Sequence, residues 1–323
     1  MKEISIGEND SGQRLDKFLQ KYLKEAKSGF IYKMLRKKNI KLNGKRAEGK
    51  EILLSGDRVA IYFSEETMRK FRGEGIRTVY PVTDLEIVYE DEEIALINKP
   101  VGMLSQKAKP EDVSLVEYFL GYLQEQGKWE SGGTFTPSVC NRLDRNTSGL
   151  VIAGKSLRGL QKMSELLKER TVSKYYLTIV EGVMKEPDTI QGFLIKDEEK
   201  NKVRIYKEDA PGRSYIETGY EPLLDNGSYT LLKVRLLTGK THQIRSHLGS
   251  IGHPVIGDIK YGGHSYPGLQ GYLLHSEELI FPKLENPFQK ISEKKFTALP
   301  PQQFLDIEKT LFDGLLFRKG GKQ

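Results

Sequence analysis

The sequence has one cysteine, Cys140, one tryptophan and only short apolar runs among its 323 residues. A single cysteine excludes an internal disulfide and agrees with a reducing compartment, so we expect a cytoplasmic protein. No segment approaches the roughly 20 apolar residues that a transmembrane helix needs. The first six residues, MKEISI, lack the apolar stretch of a signal peptide, so export is not expected. We expect a monomer that does not associate with membranes.

Histidine is also scarce, and all five histidines follow residue 241. His242 and His247 are five residues apart, about 140° around a helix, so their side chains would diverge. Because no cysteine or carboxylate stands at a ligand spacing, the sequence predicts no metal site. A Ser–His–Asp triad has no G-x-S-x-G elbow to support it.

The charge of the chain is concentrated at its beginning. Residues 1–64 hold 15 Lys and Arg against 8 Asp and Glu, a net charge of +7 that equals the +7 of the whole chain. Such an asymmetry is typical of a nucleic-acid-binding module, although a solvated basic face gives the same count. A length of 323 residues suits one small module and one larger domain.

The first 64 residues carry the pattern of two short helices and a hairpin. The apolar positions of the first helix are Leu15, Phe18, Leu19, Tyr22 and Leu23. Ser28 is the predicted N-cap of the second helix, and Asn43-Gly44 predicts a hairpin turn. The basic residues on the outer side of the second helix are Lys33, Arg36, Lys37 and Lys38. We expect these four residues to contact RNA.

The segment 139–150, VCNRLDRNTSGL, places Asp144 between Arg142 and Arg145, ahead of turn residues and an apolar run. A carboxylate on a loop before a buried strand is held rigidly and can still meet a ligand. The neighbouring arginines would keep it ionised and attract a polyanion. A surface Arg–Asp cluster at a turn would have the same sequence.

The overlapping run 149–156, GLVIAGKS, matches the P-loop pattern G-x-x-x-x-G-K-S. A P-loop needs an irregular loop between its two glycines, whereas the four residues here have the character of a strand. We therefore predict that the match is accidental and that no nucleotide binds there.

The run 141–149 resembles the H-R-L-D-x-x-T-S-G signature of the RluA-type RNA pseudouridine synthases (RluC- or RluD-like), with Asn141 in place of the usual His. Three more runs are similar to family motifs: NKPVG at 98–102 to N-K-P-x-G, KYYL at 174–177 to K-x-Y-L, and TGKTHQIRSH at 238–247 to T-G-R-x-H-Q-I-R-x-H. In the last of these, Lys240 replaces the usual Arg. Residues 1–64 resemble the S-four-type RNA-binding domain that often precedes the synthase domain.

The resemblance implies an α+β fold, with a mixed and mostly antiparallel central sheet around a catalytic cleft. A small N-terminal RNA-binding domain of helices and a β-hairpin would precede it. We expect this domain at residues 1–64, a flexible linker at 65–82 and the catalytic domain at 83–323. The reaction would detach uracil from its ribose, rotate it and reattach it through carbon-5, so no cofactor is expected.

The resemblance also assigns roles to individual residues. Asp144 would be essential, either adding to the anomeric carbon or removing a 2′ proton, and Arg245 would pair with it. Tyr176, rather than Tyr175, would stack on the uracil or handle the proton on carbon-5. Arg142 would fill the space left by the flipped base or hold a flanking phosphate.

Lys240 and the backbone N–H groups of a helix capped by Thr241 would point at a phosphate. We expect large-subunit ribosomal RNA as substrate, with transfer RNA as the other possibility. The alternative to an enzyme is a non-catalytic ribosome- or RNA-binding factor that retains the fold. Such a factor would have no use for Asp144, Tyr176 and Arg245 together.

Overall fold

The computed structural model describes residues 1–72, 78–131, 133–197 and 202–314. The chain divides into two compact units. The first comprises Met1–Thr83, Glu117–Ser138 and Gly154–Gln161, and the second comprises Asp84–Val116, Val139–Ala153 and the described residues from Lys162 onward. In these described ranges no helix is long and apolar enough to cross a membrane.

The N-terminal part of the first unit is a small antiparallel sheet with helices. Its strands are β1 (Lys2–Ser5), β2 (Ile40–Leu42), β3 (Lys45–Arg46) and β4 (Arg58–Ile61), and they pair in the order β1-β4-β2-β3. Its first two helices are α1 (Leu15–Tyr22) and α2 (Ser28–Arg36). Asn43 and Gly44 both have positive φ angles, 50° and 75°, and form the predicted hairpin turn.

A hydrophobic core joins these elements. The predicted apolar positions of α1 are all buried, and they pack with residues of α2 and β4 in one cluster. Burying each such Leu or Phe side chain contributes about 1.5–3 kcal/mol. The predicted cap of α2 was wrong, because Ser28 is its first helical residue and Lys27 occupies the N-cap position.

The segment that we expected to be a flexible linker is partly helical. Residues 65–72 form α3 (Glu65–Arg72), and residues 73–77 lie outside the described residues. Met68 and Phe71 of α3 pack against the N-terminal core, and the ring centroids of Phe71 and Phe30 are 4.2 Å apart. Two apolar residues three apart in a charged segment anchor this helix, a signal too weak to predict it.

The remaining strands form one large mixed sheet. They are β5 (Glu86–Glu90), β6 (Ile94–Lys99), β7 (Ser138–Val139), β8 (Ser148–Gly154), β9 (Ser173–Glu181), β10 (Asp188–Asp197), β11 (Lys202–Tyr206), β12 (Ser214–Asp225), β13 (Tyr229–Leu236), β14 (Leu274–Ile280) and β15 (Lys295–Thr297). The order is β11-β10-β12-β13-β9-β14-β8-β6-β5, with β15 beside β14 and β7 beside β8. β14 and β8 run parallel, whereas β10 to β13, β9 and β14 pair antiparallel. The predicted fold class is thus confirmed.

Four further helices follow in the described residues: α4 (Leu115–Glu125), α5 (Leu157–Glu169), α6 (Gln243–Ser250) and α7 (Gln302–Phe312). Ser156 caps α5 as predicted, because its hydroxyl accepts a hydrogen bond from the Gly159 N–H at 2.8 Å. Met163 and Leu166 of α5 share a buried cluster with residues of β6 and β8. These contacts fix the strand that follows the Asp144 loop.

The P-loop match falls on β8, in which every residue is buried. The prediction that its four central residues form a strand is therefore confirmed. Gly149 has a φ of 109°, and a Cβ atom there would lie 2.2 Å from the carbonyl oxygen of Ser276 on β14. Gly149 is thus needed for the close approach of two strands, which explains the first glycine of the match by packing.

Candidate active site

Asp144 lies on the loop between β7 and β8, with 27% of its side chain exposed. Its Oδ2 accepts hydrogen bonds from Arg245 Nη1 at 3.1 Å and from the Tyr272 hydroxyl at 3.3 Å. His242 Nε2 is 3.8 Å from the same oxygen. The predicted pairing of Asp144 with Arg245 is therefore present, and all three of these groups meet the carboxylate at Oδ2.

Arg245, on α6, is held by a second carboxylate that the sequence analysis did not identify. Its Nε and Nη2 donate to the two oxygens of Asp258 at 2.6 and 2.9 Å. The side chains of Arg245 and Asp258 are only 7% and 1% exposed. A buried bidentate pair fixes the plane of a guanidinium, so Nη1 is held towards Asp144 in a defined direction.

Tyr272 was also missed, because it stands in the sequence as one tyrosine among apolar residues and glycines. Its hydroxyl is 3.1 Å from Thr147 Oγ1, and its ring centroid is 3.9 Å from the Arg245 guanidinium. Burial and the negative charge of Asp144 raise the pKa of Tyr272. The hydroxyl therefore stays protonated and donates to the carboxylate.

His242 occupies the N-cap position of α6, so the predicted Thr241 cap was wrong. Its φ of 53° is a left-handed conformation, which costs a residue with a side chain about 1–3 kcal/mol. The hydroxyl of Tyr261 accepts a hydrogen bond from the Val203 N–H and lies 2.8 Å from His242 Nδ1. A neutral imidazole can share this hydrogen bond with Tyr261 in either tautomer, and its Nε2 faces Asp144. Burial lowers the pKa of His242, which favours this neutral form.

His242 and His247 have separate partners, since His247 Nδ1 lies 2.8 Å from the Thr218 hydroxyl. In the part of the chain that the structure describes, no group of three or more His, Cys, Asp or Glu side chains could hold a metal ion.

Tyr176 lies on β9, between Val234 of β13 and Ser276 of β14. Burial, with a contribution from the charge of Asp144, raises the pKa of Tyr176 to about 12. The adjacent Tyr175 points to the opposite face of the sheet, where the Lys233 ammonium lies 5.0 Å from its ring centroid. Of the two tyrosines, only Tyr176 faces the Asp144 side.

Lys99, in the run 98–102, is fully buried at the end of β6. Its ammonium donates to the carbonyl oxygens of Pro100 and Met103 at 2.9 Å and of Arg145 at 3.3 Å. The Gly102 N–H donates to the Arg145 carbonyl as well, at 2.8 Å. Lys99 therefore ties the loop after β6 to the Asp144 loop. Burial lowers the pKa of Lys99 to about 8, although the charge of Asp144 opposes this shift.

This lowered pKa predicts a pH dependence of stability. Between pH 8 and 10.5 the unfolded chain keeps the Lys99 proton and the folded chain loses it, so this group adds stability as the pH rises. The full gain is about 3 kcal/mol, at 1.36 kcal/mol per pKa unit. Lys99→Met should remove this rise, as measured by urea unfolding of both proteins at pH 7, 8, 9 and 10. Parallel curves for the two proteins would contradict the prediction.

The two arginines beside Asp144 in sequence do not act on it as expected. Arg142 and Arg145 are exposed, and neither forms an ion pair with Asp144. The cation that contacts the carboxylate, Arg245, is 101 residues away in sequence. Asn141 has a structural contact, because its amide oxygen accepts a hydrogen bond from the Ile152 N–H at 2.8 Å. That bond ties the beginning of the Asp144 loop to β8.

The side chains predicted to bind RNA are exposed. Lys240 precedes α6, and its backbone N–H donates to Gln243 Oε1 at 3.1 Å, so this N–H is not available to a phosphate. The basic residues of the second helix are exposed where α2 ends: Lys33, Arg36, Lys37 and Lys38.

Known proteins are similar to this chain over most of its length. A family described as RNA pseudouridylate synthase matches residues 93–250. A ribosomal large subunit pseudouridine synthase C of Vibrio cholerae is 30% identical over 308 residues, which cover 92% of each chain. The protein of the same name from Salmonella typhi is 30% identical over 292 residues, 87% of this chain and 88% of the relative.

Two solved human structures have the same fold. Human RNA Pseudouridylate Synthase Domain Containing 4 aligns with a TM-score of 0.57 at 20% identity, covering 69% of this chain and 91% of its own. Human RNA Pseudouridylate Synthase Domain Containing 1 aligns with a TM-score of 0.53 at 21% identity, covering 74% and 96%. The mixed sheet described above is thus the fold of known pseudouridylate synthases. Given this fold, the family match and the full-length relatives, the chain belongs to the RluA-type RNA pseudouridine synthases.

Proposed function

We propose that this RNA pseudouridine synthase modifies uridines of large-subunit ribosomal RNA and that Asp144 is its essential group. The observation that carries the role of Asp144 is its position, at 27% exposure, on a buried network whose donors meet one of its two oxygens, Oδ2. The substrate is supported by the relatives, whose names specify the ribosomal large subunit.

The geometry suits a carboxylate that attacks or accepts a proton. Arg245, Tyr272 and His242 all meet Oδ2, so Oδ1 is the oxygen that would face the ribose. Donors that are fixed before the reaction stabilise charge without reorganising. Oδ1 would either add to the anomeric carbon as the uracil leaves or take the 2′ proton, and both routes need the ionised form.

Tyr176 would lie against the uracil ring. A phenol with a pKa of about 12 remains protonated at neutral pH, so it is a poor base for the proton on carbon-5. Stacking is therefore the favoured one of its two expected roles. Arg245, Tyr272 and His242 would act through Asp144, as positioning residues.

The remaining exposed cations would hold the RNA chain. We assign Arg142 and Lys240, which flank the site in sequence, to phosphates or to the gap left by the flipped base. The second helix of residues 1–64 would contribute Lys33, Arg36, Lys37 and Lys38 to backbone contacts. A separate RNA-binding domain at 1–64 suits a large structured RNA better than a short stem-loop, which favours ribosomal over transfer RNA.

Unmodified transcripts of large-subunit ribosomal RNA and of transfer RNA, incubated with the full-length protein, would test the substrate. We expect new pseudouridines, mapped by carbodiimide modification and primer extension, at a few positions of the ribosomal transcript. Modification of transfer RNA alone would overturn the ribosomal assignment. A non-catalytic binding factor would bind the ribosomal transcript and leave both unmodified.

A further inference from the structure

The strands β10, β11 and β12 have an apolar face on each side. On the inner side, Leu194, Val203 and Ile216 form a buried cluster that packs with Tyr261. Residues directly opposite one another on paired strands lie on the same face. Phe193 stands opposite both Tyr206 on β11 and Tyr215 on β12, so these three rings share the outer face.

This outer face is exposed. Tyr215 and Ile195 are 39% and 37% exposed, and Phe193 and Tyr206 are half-buried. The rings of Phe193 and Tyr215 meet edge to face, with centroids 5.8 Å apart. None of the four belongs to a core cluster of the described residues. The solvated face of an antiparallel sheet is ordinarily polar, so four large apolar residues there indicate a surface that binds a partner.

The charged groups beside these rings are mainly arginines. The Arg213 guanidinium lies 3.7 Å from the Tyr206 ring centroid, and Arg204 stands opposite Ile195. The positive charge of Arg170 acts on Tyr215, whose hydroxyl donates to Glu217 at 3.3 Å. Three arginines and Lys202 therefore lie on or beside this face, against two carboxylates, those of Glu217 and of Asp197, which stands opposite Lys202. We call this set of rings and arginines the aromatic–arginine surface.

We propose that the aromatic–arginine surface binds a single-stranded segment of the RNA substrate. Bases stack on exposed tyrosine and phenylalanine rings whatever their sequence, and arginines neutralise the phosphates between them. A second copy of the chain is a poorer occupant, because a two-fold contact would bring the arginines of one copy against those of the other. The inference rests on an RNA substrate but not on the ribosomal large subunit as its source.

Photo-crosslinking tests this surface directly. The probe is a 16-nucleotide unstructured RNA that contains 4-thiouridine, irradiated with the full-length protein and followed by peptide mapping. We expect crosslinks in peptides that cover residues 189–197 and 202–217. Tyr206→Ser/Tyr215→Ser should lower their yield at least about tenfold, because stacking on one ring is worth a factor of about 5 to 150. Tyr206→Phe/Tyr215→Phe keeps the rings and should retain the crosslinks.

The controls separate this inference from the other proposals. Both double variants should keep the wild-type melting temperature, and the measurement of crosslinks does not depend on which RNA is modified. Arg204→Gln should flatten the dependence of log affinity on log salt by about 0.7, the value for one lost contact with single-stranded RNA. Absence of crosslinks in these peptides would overturn the proposal. It would also be overturned if the Ser variant changed sedimentation and left crosslinking intact, because the surface would then bind a second copy.

Discussion

Arg245→Ala is expected to lower the free energy of unfolding by about 3–5 kcal/mol and to abolish pseudouridine formation. The loss of stability arises because Arg245 is the cation between two carboxylates. Asp258 is almost fully buried and would keep its charge without a partner, whereas Asp144 retains contact with water. Arg235→Ala, which removes an exposed arginine from β13, is the matched control and should change stability by less than about 0.5 kcal/mol.

The two carboxylates can be distinguished by double variants. Asp258→Asn should restore part of the stability lost in Arg245→Ala, since it removes the buried charge that Arg245 no longer neutralises. Asp144→Asn should restore much less, because its side chain is 27% exposed. Urea unfolding of the single and double variants measures both effects. Strictly additive losses for Arg245 and Asp258 would show that their pairing does not stabilise the fold.

Asp144→Asn is expected to reduce pseudouridine formation by more than about a thousandfold and to leave the fold intact. An asparagine oxygen can still accept hydrogen bonds from Arg245 and Tyr272, and Arg245 keeps its bidentate partner Asp258. The substitution therefore removes the charge and the reacting oxygen with little change in packing. Asp84→Asn, at an exposed position, is the matched control for the lost charge and should remain active.

RNA affinity should change little in Asp144→Asn, because in our proposal the exposed cations, and not this carboxylate, contact the phosphates. Filter binding of the ribosomal transcript to Asp144→Asn, to Asp84→Asn and to the wild type would measure this affinity. A large drop in affinity for Asp144→Asn would indicate that the residue contributes to RNA binding.

Much of the fold follows from local patterns. The 3.6-residue period of apolar residues predicted α1, and the Asn43-Gly44 pair predicted the hairpin turn between β2 and β3. The alternation of residues in β9 placed Tyr175 and Tyr176 on opposite faces of the sheet. These signals are carried by residues near one another in the chain. The capping errors at Ser28 and Thr241 are shifts of one residue, because several neighbouring polar residues are equally suitable as caps.

The site was less accessible from the sequence alone. The pairing of Asp144 with Arg245 was expected from a resemblance, because no local pattern connects residues 101 positions apart. Tyr272 and His242 meet Asp144, and Asp258 meets Arg245, because the sheet order sets β14 beside β8 and because a left-handed residue precedes α6. Both features are properties of the tertiary structure. The adjacent Arg142 and Arg145, which local reasoning favoured, are exposed and do not pair with it.

A single-turnover assay tests the role of Asp144 most directly. Enzyme in excess over the ribosomal transcript removes any effect of affinity or product release on the rate. The wild type and Asp84→Asn should form pseudouridine in one exponential phase, and Asp144→Asn should give no more than a sample without protein after prolonged incubation. If Asp144→Asn instead reached the wild-type yield, even slowly, a different group would perform the chemistry and Asp144 would not be essential.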